Sequence, residues 1–421
     1  MPGLAYANGR SEILFDEATV PFADAGYRRV PQADELLPAP DGALPTLLPG
    51  RRPAVLRGRN KQRTAVAVLL PAGYTRLLLP AYERQADAPT LPLFGYTYAC
   101  VIDDALYVAA ARTDARDDWQ PRRFAAGELE AVVDRRMSLD PANRILGQLR
   151  RCAQEFGCFT AQNVFLEQGE AAIPVSPRCN AACVGCISEQ RPDSGVPAPQ
   201  NRINQEIDVA EIVRLALHHL ERVPNGIVSF GQGCEGEPLL RSTTIARAIA
   251  QIRQEHAHGT INCNTNGSLP QALQRLIDAG LDAVRISLNS FRPEVYAAYY
   301  RPTGYGLEDV LSSIRLAVGA GLRVSLNLLT HPGVTDDVRE LAAMRAFLRE
   351  CPVSLIQVRT LNIDPEVYFA TVGRPEDTAG MLAALEEIRS LDINVGNFTP
   401  PARTAGAVSV SQKPRRSQIG M

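Results

Sequence analysis

The chain has 421 residues, 45% of them hydrophobic, and a formal net charge of -2. That length suffices for two domains with well-buried cores, and the near-neutral charge supplies no whole-protein basic field, so nucleic acid is not an expected partner. Of the 44 basic residues only Lys61 and Lys413 are lysines, so there is no G-x4-G-K-[ST] phosphate loop and almost no candidate for Schiff-base catalysis.

The opening residues Met1 to Asn8 carry no apolar targeting core, and no run reaches the ~18 apolar residues of a membrane span. With free cysteines, this points to a reducing cytoplasm and no membrane partner. Residues 1–60 hold Pro31, Pro38, Pro40, Pro45, Pro49 and Pro53 and read as an irregular, proline-rich segment. Residues 61–160 read as a small β-rich accessory domain with bridging helices. Its strands are predicted over Thr64–Leu70, Thr75–Pro80, Tyr96–Ile102 and Ala105–Ala111, with Asp103-Asp104 as a tight hairpin turn. Helices come next over Glu128–Met137 and Ile145–Phe156.

The apolar run Ala171–Pro177 reads as a buried strand, and Cys179, Cys183 and Cys186 come after it in a C-x3-C-x2-C spacing. Three close thiolates repel one another, so they are stable when a cation shares their charge. Ala181, Ala182 and Gly185 let the backbone wrap tightly around such a group. Three ligands on a four-iron cluster leave one iron open. Two plainer readings stand beside this one. Zinc would need a fourth ligand, from Cys158 or Cys234, and the three cysteines can also be ordinary buried thiols. Cys152 and Cys158, with Cys100 upstream, raise the question of a second metal site on spacing alone. A disulfide framework does not suit a long chain without a secretory signal.

From 206 onward strands and helices alternate, with strands predicted over Ile227–Phe230, Thr260–Asn264, Ala283–Leu288, Arg323–Leu328 and Ser354–Thr360. Ile393–Asn397 is a short addition. That rhythm implies a parallel sheet, and about six βα units are too few for a closed eight-fold barrel. The polar, proline-rich stretch after Cys186 is expected to lie over the site. The tail, 401–421, reads as polar and disordered.

Polar motifs stand at the strand ends. Gly231 to Pro238 contains glycines that permit close backbone approach to a ligand, and Glu237, read as exposed, suits an ammonium group. Asn264-Thr265-Asn266-Gly267 is a turn by composition. Ser287 and Asn289 can bond ribose hydroxyls, and Asn327 stands on the next strand. Arg359 suits a carboxylate, of substrate or cofactor, because its fork pairs bidentately. A structural ion pair is the plain alternative for Arg359, as it is for Arg285 and Arg301. His218 and His219 are adjacent on a helix and cannot face one ligand. Tyr296, Tyr299 and Tyr300 read as packing.

The cysteine triplet after a strand resembles the cluster loop of radical S-adenosylmethionine (SAM) enzymes. The likeness covers about Ala171 to Asn397. Gly231 to Pro238 resembles that family's Gly-Gly-Glu-Pro motif, with Glu235 in place of the first glycine. Asn264 to Gly267 is similar to its Thr-Asn-Gly. The family's aromatic residue before the third cysteine is Gly185 here. The resemblance implies an α/β fold, a partial (βα)6 barrel over 161–400 preceded by the small β-rich domain. It implies a [4Fe-4S] cluster on Cys179, Cys183 and Cys186. It also implies SAM held by Gly236, Glu237, Pro238, Asn264, Asn266, Ser287, Asn289, Asn327 and Arg359. The reduced cluster would cleave SAM to a 5′-deoxyadenosyl radical that takes hydrogen from a substrate. The expected partners are an electron donor such as flavodoxin or ferredoxin, and a small-molecule, cofactor-precursor or protein substrate. After Cys263 only Cys351 remains, so a cysteine-rich auxiliary-cluster domain is not expected. The alternative from another class is a non-catalytic iron–sulfur or zinc-binding sensor or scaffold.

Overall fold

A computed structural model describes residues 1–58, 62–114, 126–398 and Ala402. The tail expected to be disordered over 401–421 lies outside the described residues, Ala402 excepted.

The N-terminal half is antiparallel. Gly3–Ala7 is a central strand of a nine-stranded sheet, between Ala99–Ile102 and Thr64–Leu69. The expectation of an irregular segment over 1–60 is therefore wrong: nine short strands fall between Gly3 and Arg57, and the domain begins at the N-terminus. The prolines are tolerated because they stand where a missing N–H costs no ladder bond. Pro38 and Pro53 end three-residue strands, and Pro45 sits on a strand that pairs on one side only. Asp103 and Asp104 form the expected two-residue hairpin, both with positive φ (49° and 58°), as a type I′ turn demands.

Three helices lead out of this domain: α1 (Ala126–Leu139), α2 (Arg144–Gln154) and α3 (Phe159–Leu166). A seven-stranded parallel sheet comes next, its strands neighbouring one another in chain order. They are β1 (Glu170–Ala172), β2 (Ile227–Phe230), β3 (Thr260–Thr265), β4 (Ala283–Leu288), β5 (Arg323–Thr330), β6 (Leu355–Thr360) and β7 (Asn394–Gly396). Helices cover the connections: α4 (Val209–Arg222), α5 (Ser242–Glu255), α6 (Pro270–Asp278), α7 (Pro293–Tyr300), α8 (Leu307–Gly319), α9 (Val338–Glu350), α10 (Pro365–Val372) and α11 (Met381–Ser390). Among the described residues β1 and β7 do not pair with each other, so the sheet is open.

Parallel strands buried on both faces read as continuous apolar runs. These alternate instead. Val284, Ile286, Val324, Leu326, Ile356 and Val358 are buried in the main core, while polar residues occupy the positions between them. The register sets those polar residues in rows, Asn264 beside Arg285 beside Ser325, and Ser287 beside Asn327 beside Gln357. One face of the sheet is therefore an apolar floor for helices, and the other is lined with hydrogen-bonding groups.

The N-terminal domain docks over the C-terminal ends of β5, β6 and β7. Arg51 is wholly buried and pairs with Asp364 at 2.9 Å. Arg76, also wholly buried, reaches the Leu361 carbonyl (3.4 Å), and its own N–H donates to Thr360 Oγ1 (3.4 Å). The Ile363 N–H donates to the Phe94 carbonyl (3.2 Å), and the Asn397 N–H to Asp114 Oδ2 (2.8 Å). Among the described residues no helix is long and apolar enough to cross a membrane.

Candidate active site

The chain leaves β1 as the run predicted to be a strand, but only Glu170–Ala172 is laddered. The segment from Val175 is held by a side chain instead. Val175 and Ser176 donate their N–H groups to Glu235 Oε2 (2.8 and 2.9 Å), and Gly231 and Gln232 donate to its Oε1 (2.6 and 2.9 Å). One buried carboxylate thus ties the glycine turn after β2 to the segment entering the cysteine loop. Burial pushes its pKa up to about 7 against those four donors. The turn then touches the loop directly. Gly236 N–H donates to the Ser176 carbonyl (2.7 Å) and Glu237 N–H to that of Arg178 (2.8 Å). A Cβ on Gly236 would lie 2.0 Å from the Arg178 oxygen, so no other residue fits.

The far side of the loop rests on the end of α7. Ala182 and Val184 donate N–H groups to the carbonyls of Tyr300 and Tyr299, each at 3.0 Å. These carbonyls are among those a helix C-terminus leaves unbonded. Gly185, where the resembled family has an aromatic residue, has that space filled from outside. A Cβ there would be 2.9 Å from the Tyr299 hydroxyl. Tyr296, Tyr299 and Tyr300 are buried, Tyr296 stacked on Tyr300 and Tyr299 edge-on to it, as packing residues are. The stretch after Cys186 returns to the loop: Gln190 Nε2 donates to the Cys186 carbonyl (2.7 Å) and that of Val184 (3.2 Å).

Cys179, Cys183 and Cys186 are all partly exposed and free. Burial, then the neighbouring Cys186 and Cys179, push the Cys183 thiol well above its ordinary range; burial raises Cys179 to about 11. The three thiols stand within electrostatic reach of one another, and that repulsion reverses when a cation is present. Arg202 donates to Cys186 Sγ at 3.5 Å. Among the described residues no three His, Cys, Asp or Glu side chains meet closely enough to hold a single ion. The donor set, three soft sulfurs near one another but not around one point, fits a multi-iron cluster and not mononuclear zinc.

Glu237 departs from the sequence reading. It is 3% exposed, not exposed. Its carboxylate accepts the N–H groups of Leu239 (2.9 Å) and Asn266 (2.8 Å) and the Thr265 hydroxyl. Burial raises its pKa to about 7. It joins the β2 turn to the β3 turn. Pro238 is buried beside it and starts a short 3-10 turn. Asn266 continues the chain of contacts, its Nδ2 donating to Asn180 Oδ1 in the cysteine loop (2.9 Å). Asn264 is partly exposed and accepts from Asn262 (2.9 Å). Ser287 and Asn327 meet across β4 and β5 at 3.2 Å. Asn289 does not join them. It is 1% exposed and turned to the Tyr368 hydroxyl (3.1 Å), because the chain leaves β4 at Leu288 and the strand alternation ends there. Arg285 pairs with Glu170 at 3.3 Å, the structural ion pair weighed for it. Arg359 is partly exposed on β6, and burial and then the Arg285 charge lower its pKa to about 10.

The profile of the Radical SAM superfamily matches residues 173–345, which begin two residues before Val175, where the Glu235 clamp takes hold, and contain the cysteine loop and the turns after β2, β3 and β4. Residues 173–345 are a radical SAM superfamily domain. The family's enzymes use a [4Fe-4S] cluster and SAM. The chain is 27% identical over 234 residues to the FeMo cofactor biosynthesis protein NifB of Klebsiella pneumoniae, covering 50% of this chain and 48% of that one. It is 31% identical over 201 residues to the GTP 3',8-cyclase of Heliobacterium modesticaldum, covering 46% and 54%. A solved radical SAM methyltransferase from Sphaerobacter thermophilus aligns at TM-score 0.39 and 16% identity, over 54% of this chain and 64% of that one. The chain spans about half the length of the curated relatives it matches.

One feature of this radical SAM site escapes a reading by motif. Glu235 looks like a flaw in a glycine motif, yet it is the clamp. No local signal marks it, because its four partners include two that lie about sixty positions upstream. The polar face was legible, since T-I-N-C-N-T, A-V-R-I-S-L and L-I-Q-V-R-T alternate. The neighbouring Cys234 thiol lowers Cys152 to about 7, with Gln148 Nε2 donating to Cys152 Sγ (3.4 Å) and Cys158 nearby; Cys100 is apart, in the N-terminal sheet.

Proposed function

We propose that this chain is a radical SAM enzyme that builds a cofactor or a similar small molecule. Cys179, Cys183 and Cys186 would hold the cluster, with the sheet curled as a partial barrel around the polar face. SAM would lie over the turns at Gly236 to Pro238 and Asn264 to Asn266, with Ser287 and Asn327 toward its ribose. Bound there, the cluster and SAM supply an electron and a 5′-deoxyadenosyl group able to take hydrogen from a substrate.

The chain's own residues hold and shield. Glu235 fixes the glycine turn against the cysteine loop, and Glu237 fixes the next turn against both. Glu237 then acts through backbone placement, and the turn's carbonyls remain for an ammonium group. Gln190 and Arg202 cover the Cys186 side, and the N-terminal domain closes the β5 to β7 end against water. The single observation that carries the reading is the direct bonding of the Gly236-Glu237 backbone to the Ser176 and Arg178 carbonyls, the latter one residue before the first cysteine. The names of the matched relatives, a cofactor biosynthesis protein and a nucleotide cyclase, support a cofactor precursor as substrate. The N-terminal domain is proposed as the recognition module, and a small electron-transfer protein as reductant.

The test is anaerobic reconstitution with iron and sulfide, reduction by dithionite, and chromatography for 5′-deoxyadenosine. Product from the wild type but not from Cys179→Ala supports the proposal. A reconstituted, reducible protein that leaves SAM intact points to a non-catalytic iron–sulfur role.

A further inference from the structure

A cavity of about 300 Å³ lies in the seam between the N-terminal domain and the end of β6. Its walls from the N-terminal side include Leu69, Tyr74 and Phe94, and from the sheet side Arg359, Asn362 and Asn397. The seam is close there: a Cβ on Gly95 would stand 2.7 Å from Thr360 Cγ2 and 3.1 Å from Asn362 Oδ1. The same Asn362 backs onto the cluster loop, its carbonyl 3.4 Å from where a Cβ on Gly185 would be. One residue therefore separates this cavity from the residue preceding Cys186.

Arg359 is the unexplained charge. Its neighbour Arg285 has Glu170 at 3.3 Å. The Arg359 guanidinium makes no hydrogen bond or ion pair with any described residue, although burial has removed much of its water. A desolvated guanidinium without an acceptor is costly, and a fork of this geometry matches a carboxylate. The local field limits the charge that fits. The charges within reach of Arg359 are Arg285, then Glu170, which pairs with Arg285, and then Asp114, held by the Asn397 N–H at 2.8 Å; with the Arg285–Glu170 pair neutral as a unit, Asp114 repels a second negative charge. That balance suits one carboxylate and disfavours a phosphate dianion or a polyphosphate.

Building on the radical SAM reading of the site, we propose that the seam cavity is the substrate subsite. It takes a small molecule with one carboxylate, paired with Arg359, on an apolar or aromatic body that rests against Tyr74 and Phe94. The N-terminal domain thereby sets substrate choice, and the cluster loop lies directly behind Asn362.

The test is calorimetric titration of the full-length, anaerobically reconstituted protein with SAM present. The probes are 3-phenylpropionate, 3-phenylpropionamide and phenyl phosphate. The carboxylate should bind in the millimolar range or tighter, and the amide and the phosphate about tenfold or more weakly than it. Arg359→Gln should lose about tenfold in carboxylate affinity and Arg359→Lys less, because the ammonium keeps the charge and loses the fork. Ala72→Trp, on the turn between Thr64–Leu69 and Tyr74–Arg76 that lines the cavity, should block the probe without touching the parallel sheet, and serves if the Arg359 variants fail to fold. The inference is overturned if the wild type ignores the carboxylate, if the amide binds as well, or if Arg359→Gln binds it unchanged. It is also overturned if Arg359→Gln loses affinity for SAM itself, which would make Arg359 a cofactor residue. The two readings fail separately: absence of 5′-deoxyadenosine removes the radical reaction, while the titration alone decides the cavity.

Discussion

At Gly236 the backbone of one turn lies on the backbone of another with no space for a methyl group. Gly236→Ala should therefore push the cysteine loop by an ångström or more. Such displacements cost about a hundredfold in rate, and the 5′-deoxyadenosine assay, with iron content as control, reads the loss. Asp336 offers an independent residue-scale test. It is wholly buried, Gly333 N–H donates to its Oδ1 at 2.6 Å, and its Oδ2 has no partner. Burial raises its pKa from 3.8 to about 7. The folded state keeps this proton to about pH 7, whereas the unfolded chain releases it near 3.8, so the stability it confers falls as pH rises between those values. Asp336→Asn mimics the protonated form. Its melting advantage over wild type should be larger at about pH 8 than at about pH 5, by on the order of 2–3 kcal/mol, and should vanish only below about pH 4. Equal melting curves at both values would contradict the assignment. Residues of this kind were partly legible. The cysteines and the Asn264-to-Asn266 turn stood out by spacing and place. Glu237 was mistaken for an exposed group, because burial by a neighbouring turn leaves no mark in a four-residue motif.

Among elements, the parallel strands were the most legible. Ala283–Leu288 falls where it was predicted, because a β-favouring run repeating in a strand-and-helix rhythm is a strong local signal. The N-terminal strands were hidden. Each is short, several end in proline, and their pairing partners are far away in sequence, as with Tyr6 and Ala65. Helices α3 and α10 went unseen as well, at eight residues each with no apolar stripe of useful length. The junction between the halves depends on Asp364, which caps α10 through the Glu366 N–H (2.9 Å) and accepts from Leu91 N–H (2.8 Å) and Arg51. Arg51→Met should cost about 3–5 kcal/mol, because it leaves Asp364 buried and unpaired. Adding Asp364→Asn, which removes the unpaired charge and keeps the Oδ1 bond to the Glu366 N–H but not the Oδ2 bond to the Leu91 N–H, should return part of that loss. Urea unfolding of the two single variants and the double variant measures it. Additive losses would show that the pair is not the joint.

For the molecule as a whole, the consequence of the seam is that neither half is a spare part. A chain beginning at Thr160 would expose the Leu361 carbonyl, Asp364 and the apolar surface now covered by Leu77, Leu78 and Leu79. It should aggregate, and a monomeric, fully active truncation on size exclusion would refute the recognition role given to the N-terminal domain. The account as a whole depends on three thiols gathering iron beside a turn shaped for SAM. Electron paramagnetic resonance of the dithionite-reduced, reconstituted protein tests that most directly. Addition of SAM should shift the g values of the cluster signal in the wild type, and Cys183→Ala should lose both the shift and the parent signal. A wild-type spectrum unchanged by saturating SAM would contradict the account.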